Sequence, residues 1–299
     1  MSGGLVIVNA AVAVLLAPLF DGIVRKMRAV IHSRKGPPVT QTYMDILKLL
    51  GKEDLRCTES AMFRFAPAVA LAAFLVVALL TPMTSPSGVG LAGDMVTWVY
   101  FLTLGAASII MMAAASGNPF AMAGGARETM MLLSVEPVIV AALITAAVKS
   151  RSLHLTDMAA WNLEHGPAVS MVCAGVAYFL ALQATMAKLP FDIPEAESEI
   201  VGGPLIEQSG PSLAILKMAL LARQVVYCFL LVQVFAPWPG VGYWPLAALF
   251  SLIKVVVLFL IATVIETVSP RLRVDQAMNY MGRVLFVALA ALAFASIGV

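Results

Sequence analysis

Ionisable side chains stand inside stretches of this sequence that are otherwise apolar. Glu128 and Glu136 share one stretch, Lys217 and Arg223 a second, Lys254 and Glu266 a third, and Arg283 lies in a fourth. A charge held at mid-membrane costs about 2.5–3.5 kcal/mol on insertion scales, so each calls for a partner or a role. Glu128, Glu266 and Arg283 lie near the ends of their stretches, where a long side chain reaches water cheaply. Glu136, Lys217, Arg223 and Lys254 are deeper. Pro137 follows Glu136, deprives the Leu133 carbonyl of its backbone donor and kinks a helix there. A carboxyl beside a freed carbonyl is a station for water and protons. Acids and bases together read as a buried path for protons or ions, with Glu136, Glu128, Lys217, Arg223, Lys254 and Glu266 along it. The plainer alternative is ion pairing that only joins helices.

A second group is KLPFDIPEAESEIVGGPLIEQSGPS, residues 188–212, which sets Asp192, Glu195, Glu197, Glu199 and Glu207 against Lys188 alone. Pro190 and Pro194 are expected to stop one helix and start a short one, because Pro suits a first turn. Glu195 and Glu199 would then share a face at i, i+4 and repel slightly, offset by the helix dipole. The loop is either a solvated counterpart to basic segments or an acidic rim that receives protons or a partner's basic surface.

The elements that must position these groups follow from composition. Hydrophobic residues make up 61% of the 299, charged residues 12%, and mean hydropathy is +0.94. Soluble domains carry about a quarter charged residues. The fold class is therefore all-α integral membrane, a single membrane domain over 1–299. A cytosolic enzyme, a nucleic-acid binder and a disordered regulator are excluded as leading readings. A bilayer-crossing helix needs about 20 apolar residues. Eight such spans are expected, at 3–24, 65–84, 95–116, 127–148, 167–187, 213–236, 243–266 and 278–298. The first does not resemble a cleaved signal, since no basic region precedes it and Pro18 and Asp21 follow. No internal repeat is evident, which speaks against an inverted-repeat transporter.

Orientation comes from Lys and Arg in the loops. Arg25, Lys26, Arg28, Arg34, Lys35, Lys48, Lys52, Arg56 and Arg64 lie between the first two spans, nine of the chain's 19 basic residues. Arg127, Lys188, Arg271 and Arg273 fall in loops on the same side. That side is expected to be cytoplasmic, with the N- and C-termini outside and long cytoplasmic loops after helices 1 and 5. The location is a cytoplasmic (inner) membrane, crossed many times. Within the first loop, YMDILKLLGKED (43–54) puts Met44, Leu47 and Leu50 on a stripe with Ile46 beside them. It reads as an interfacial amphipathic helix, or as the lid or wall of a cavity beneath a docked subunit.

No catalytic or metal-ligating set emerges. Cys57, Cys173 and Cys228 are far apart, and His32, His154 and His165 share no ligand spacing. A net charge of +2 offers nothing to nucleic acid.

KLPFDIPEAESEIVGGP (188–204) resembles the signature loop of the membrane subunit of respiratory complex I that builds most of the quinone chamber. That family has relatives in membrane-bound nickel–iron hydrogenases. SRKGPP (33–38) with YMDILKLLGKED resembles its first cytoplasmic loop. GARETMMLLSVEP (125–137) resembles the start of its fourth or fifth span, and PRLRVDQAMNYMGR (270–283) its last loop and final helix. Lys188, Pro204, the ARE at 126–128 and the VEP at 135–137 are similar to the branch of formate hydrogenlyase, hydrogenase-4 and CO-linked energy-converting hydrogenases.

The resemblance implies a non-catalytic subunit without redox centre or quinone. It would anchor the small iron–sulfur and large nickel–iron subunits, which carry the nickel–iron centre and 4Fe-4S clusters, and would face antiporter-like membrane subunits. It implies a coupling role for Asp192, Glu195, Glu197, Glu199 and Glu207, and a proton path through Glu136. It places Arg34, Lys35, Lys188, Arg271 and Arg273 at the arm interface. One departure is Thr185, where many relatives carry Glu. Alternatives are the quinone-chamber subunit of complex I and a stand-alone ion transporter.

Overall fold

The computed structural model describes residues 2–83, 93–240 and 243–298. Among them every regular element is a helix. In chain order these are α1 (Ser2–Ile31), α2 (Gln41–Leu50), α3 (Ala61–Leu80), α4 (Met95–Ala115), α5 (Pro119–Ser150) and α6 (Leu155–His165). They continue with α7 (Val169–Thr185), the single turn α8 (Glu197–Ile200), a 3-10 turn at Gly203–Leu205, α9 (Gly210–Phe235), α10 (Trp244–Val268) and α11 (Val274–Ile297).

Prolines mark several helix starts. Pro119, Pro211 and Pro245 each fall in a first turn, where a missing N–H is no loss. The Asn118 side chain caps α5 by accepting from the Phe120 N–H at 2.8 Å.

Among the described residues six helices are long and apolar enough to cross a membrane: α3, α4, α5, α9, α10 and α11. Of the expected spans, that at 3–24 lies within α1, and that at 167–187 is met only over Val169–Thr185 by α7, a shorter apolar helix of 17 residues. Residue 84, the expected end of another, lies outside the described residues.

Burial sorts the helices. In the most apolar window of α9, 67% is buried, against 28% in α10 and in α11, so α9 is the hub and the other two face outward. Val225 to Phe235 is buried without a break. Around it pack Phe74, Trp98, Tyr178 and Phe259, all fully buried or nearly so. Outward positions such as Phe286 and Ile297 are apolar and exposed, as lipid requires. Gly105 lets α4 close on α3, because a Cβ there would stand 2.5 Å from the Phe74 ring.

The two ends of the bundle differ. At one end Met95 donates to the Leu153 carbonyl and Leu155 to Gly93, which joins the starts of α4 and α6. At the other, the first loop and the acidic loop fold over the helix ends. The Ser209 hydroxyl donates to the Leu55 carbonyl at 2.8 Å and accepts from its N–H at 2.9 Å. A Cβ at Gly210 would lie 2.3 Å from the Glu53 carbonyl oxygen, so the first loop lies directly on the start of α9.

Two local expectations are corrected. The basic loop begins later than residue 25, because α1 runs on to Ile31 and carries Arg25 and Arg28 on helix. The short helix of the acidic loop begins at Glu197, not at Pro194. Gly203 presses on the Pro194 carbonyl, where a Cβ would stand 2.1 Å away, and this contact holds Pro194 and Glu195 out of helix. Glu195 and Glu199 therefore do not share a helix face.

Candidate functional site: a charged cavity and its inner branch

At the end covered by the two loops lies a cavity of about 560 Å³. Its acids are Asp21, Asp45, Asp192, Glu195, Glu197 and Glu266. Its bases are Arg25, Arg28, Lys188, Lys217, Arg223 and Arg271. Opposite charges are thus matched in number, and most are matched in contact. Arg25 binds Asp21 at 2.9 Å and Asp45 at 3.0 Å, which links α1 to α2. Arg28 binds Glu266 and so links α1 to α10. Arg271 binds Asp192 at 2.5 Å and donates to the Ser198 hydroxyl at 2.9 Å. The backbone follows: Leu272 donates to the Pro190 carbonyl at 3.0 Å. The acidic loop is therefore clamped to the segment before α11.

Beneath this cavity is a smaller one of about 40 Å³, room for a water molecule or so. It is lined by Glu128, Glu136, Thr185, Pro194, Arg223 and Tyr227 among others. Arg223 borders both spaces. It is 8% exposed and its Nη1 binds Glu128 at 3.0 Å. Glu136 accepts from the Thr103 hydroxyl at 2.8 Å, and that oxygen also lies 2.9 Å from the Val99 carbonyl. A row of polar groups thus runs from the outer cavity through Arg223 and Glu128 to Glu136.

The loop groups feel their surroundings unequally. Burial pushes the Glu195 carboxyl up to about 7, with Arg223 opposing. Burial likewise raises Asp192, against the pull of Arg271. Glu199 is exposed and held below its ordinary value by its hydrogen bond to Arg127, at 2.6 Å. Burial lowers Lys188, whose Nζ has no hydrogen-bond acceptor and stands 5.8 Å from the centre of the Phe259 ring.

The outer cavity thus gathers Glu266, Lys217, Arg223, Lys188, Asp192, Glu195, Glu197 and Arg271, while Glu128 and Glu136 line the inner one. Lys254 stands apart and donates to the Ala236 carbonyl at the end of α9, at 2.8 Å. Glu207 binds the Asn118 side chain beside α5. Arg34, Lys35 and Arg273 are exposed and line neither space. On α2 the expected stripe splits: Ile46 and Thr42 are buried and line the cavity, while Met44, Leu47 and Leu50 face outward.

Sequence reasoning did not single out Asp21, Asp45, Arg25 and Arg28 as site residues. The signal was available at Asp21 and Arg25, which are four apart and share a helix face once α1 is extended. Among the described residues no group of three or more His, Cys, Asp or Glu is arranged to hold a metal ion.

A multi-pass helical membrane protein with charge collected at one end and led inward is the class these features define. Comparison gives the family. The chain belongs to the NADH dehydrogenase family, whose profile it matches over residues 4–296. It is 35% identical over 277 residues to hydrogenase-4 component C of Escherichia coli (strain K12), covering 88% of this chain and 86% of that protein. It is 33% identical over 279 residues to formate hydrogenlyase subunit 4 of the same strain, covering 90% and 91%. Identity to a subunit of the NADH-quinone oxidoreductase of Brevibacillus brevis is 30% over 278 residues, 85% of this chain and 78% of that one. A solved structure of the membrane-bound sulfane sulfur reductase, an archaeal respiratory membrane complex, contains a similar chain. That chain superposes with a TM-score of 0.87 at 27% identity, covering 97% of this chain and 99% of the other.

Proposed function

We propose that this chain is the membrane anchor and coupling subunit of an energy-converting nickel–iron hydrogenase complex. It docks a cytoplasmic hydrogenase arm and links proton reduction there to H⁺ or Na⁺ movement. The observation that carries the reading is the position of Arg223, one buried cation that borders both the loop-covered cavity and the inner space leading to Glu136. An anchor alone needs no such inward branch. The likeness to hydrogenase-4 and formate hydrogenlyase subunits supports the hydrogenase side.

In this reading α1 and α7 complete eight spans, the termini face outward, and the loops over the cavity are cytoplasmic. The whole chain is one membrane domain. The iron–sulfur and nickel–iron subunits sit on the loops and carry the redox centres, and antiporter-like subunits lie alongside in the bilayer. Asp192, Glu195, Glu197 and Glu199 sense the arm, while Arg34, Lys35 and Arg273 meet it. Glu128 and Glu136 carry the response inward.

The test is Glu136→Gln in the assembled complex, read as ions moved per hydrogen evolved. A lowered ratio is expected, and an unchanged ratio and rate would remove Glu136 from the path. Metal analysis of the complex tests the branch. Nickel supports it, whereas flavin with bound quinone would replace it by the complex I reading.

A further inference from the structure

The wall between the two cavities is made by few atoms. Arg223 of α9 faces both, while the neighbours Pro194 and Glu195 divide across it: Pro194 lines the inner space and Glu195 the outer one. Glu128 lines the inner space only. One guanidinium thus stands between a carboxylate on each side.

We propose that Arg223 is the gate of this wall, a positioning residue shared in turn by Glu128 inside and Glu195 outside. The inference rests on the coupling reading above and names the device within it.

Three features carry it. First, the guanidinium has unused capacity. It offers five donors in a fixed fork, yet among the described residues its Nη1 donates to Glu128 while Nε is buried with no partner. A spare buried donor is a standing penalty that a second acceptor relieves. Second, the group has a surface to move along, because its Cζ lies 5.9 Å from the centre of the Phe74 ring. A flat cation slides over an aromatic face while keeping its attraction to it. Third, the outer acceptor is mechanically tied to its neighbours. Glu195 follows Pro194, whose carbonyl rests on Gly203, which in turn rests on Gly124 of α5. Arg127 and Arg271 tie the same loop to α5 and to the segment before α11. A load on the loop would shift Glu195 relative to the backbone of Arg223, which belongs to the buried hub helix.

With Arg223 on Glu128, the cation plugs the way to Glu136. Drawn to Glu195, it leaves Glu128 free and joins the two spaces. The state seen here is the plugged one.

The experiment uses the intact complex in sealed vesicles and reads ions moved per hydrogen evolved for wild type, Glu195→Gln and the double variant Arg223→Gln with Glu128→Gln. The double variant leaves no unpaired charge behind, so a pair that only joins helices predicts the wild-type ratio. A gate predicts a lowered ratio in both variants, because Glu195→Gln removes the outer acceptor and the double variant removes the plug. The wild-type ratio in either variant overturns the gate and removes Glu195 or Glu128 from the coupling role given above, while the docked arm and Glu136 stay subject to the separate Glu136→Gln test. A wild type that moves no ions overturns both. Should the double variant fail to assemble, Glu195→Gln alone decides, because it leaves the Arg223–Glu128 pair intact.

Discussion

Gly124 of α5 lies against Gly203 of the acidic loop so closely that a Cβ on the first would stand 2.7 Å from the Cα of the second. Gly203 also has φ +52 and faces the Pro194 carbonyl, so the loop is held by a contact that only two glycines permit. Gly203→Ala is expected to destabilise the loop by about 1–3 kcal/mol from backbone strain alone. The displaced loop should be cut faster by protease, with the Arg271–Asp192 clamp loosened. Cleavage at the wild-type rate would show that the loop accommodates the methyl.

A second prediction concerns pH. Glu195 titrates near 7 in the folded chain, above its ordinary value of 4.5. The folded state therefore holds this proton more tightly than the unfolded state. Its contribution to stability is complete below about pH 4.5 and is lost as pH rises through 7. Thermal unfolding in detergent should show the wild type losing stability relative to Glu195→Gln between pH 5 and 8, as sampled in about half-unit steps. Parallel curves would show that the carboxyl is not buried as described.

A third prediction separates pairing from charge burial. Glu266 is 7% exposed and is neutralised by Arg28. Arg28→Ala should destabilise by about 2–3 kcal/mol, because an uncompensated carboxylate remains buried. Arg28→Met combined with Glu266→Leu should recover much of that loss, since an apolar pair of similar volume suits the site. Lys188 also loses the support of Glu266 in the double variant, so recovery should be incomplete. Thermal melts of the wild type, Arg28→Ala and the double variant measure both effects.

A fourth prediction tests the seam between the loops. Ser209 makes reciprocal hydrogen bonds with the backbone of Leu55. Ser209→Ala should cost about 1 kcal/mol and speed exchange of the Leu55 amide. Unchanged exchange would mean that the Glu53–Gly210 contact holds the loop unaided.

Much of this site was legible before any coordinates. The apolar runs located the helices, and the charges inside them supply Glu128, Glu136, Lys217, Arg223 and Glu266 to the two cavities, while the acidic loop and the segment before α11 supply Lys188, Asp192, Glu195, Glu197 and Arg271. What sequence could not supply was which charge meets which. Glu128 and Arg223 are far apart in the chain and join only because α5 and α9 reach the same cavity wall. Lys254 looked equivalent to Arg223 by depth, yet it caps α9 at Ala236, because α10 brings it beside the far end of that helix. The start of α8 was misplaced because Pro194 satisfies the local rule for a first turn, while a tertiary contact with Gly203 overrides it. Asp45 was overlooked because its partner Arg25 looked like a loop residue until α1 was seen to continue.

The length of α5 has its own consequence. Its 32 residues make a rod of about 48 Å, against a hydrocarbon slab of roughly 30 Å. The surplus is a stem that stands under the acidic loop and is braced there by Gly203 and Glu199. A push on its head is carried down a stiff strut as far as Pro137, one residue past Glu136. The missing backbone bond makes that point the compliant joint, so on the proposed coupling reading a push from a docked arm would bend the helix beside Glu136.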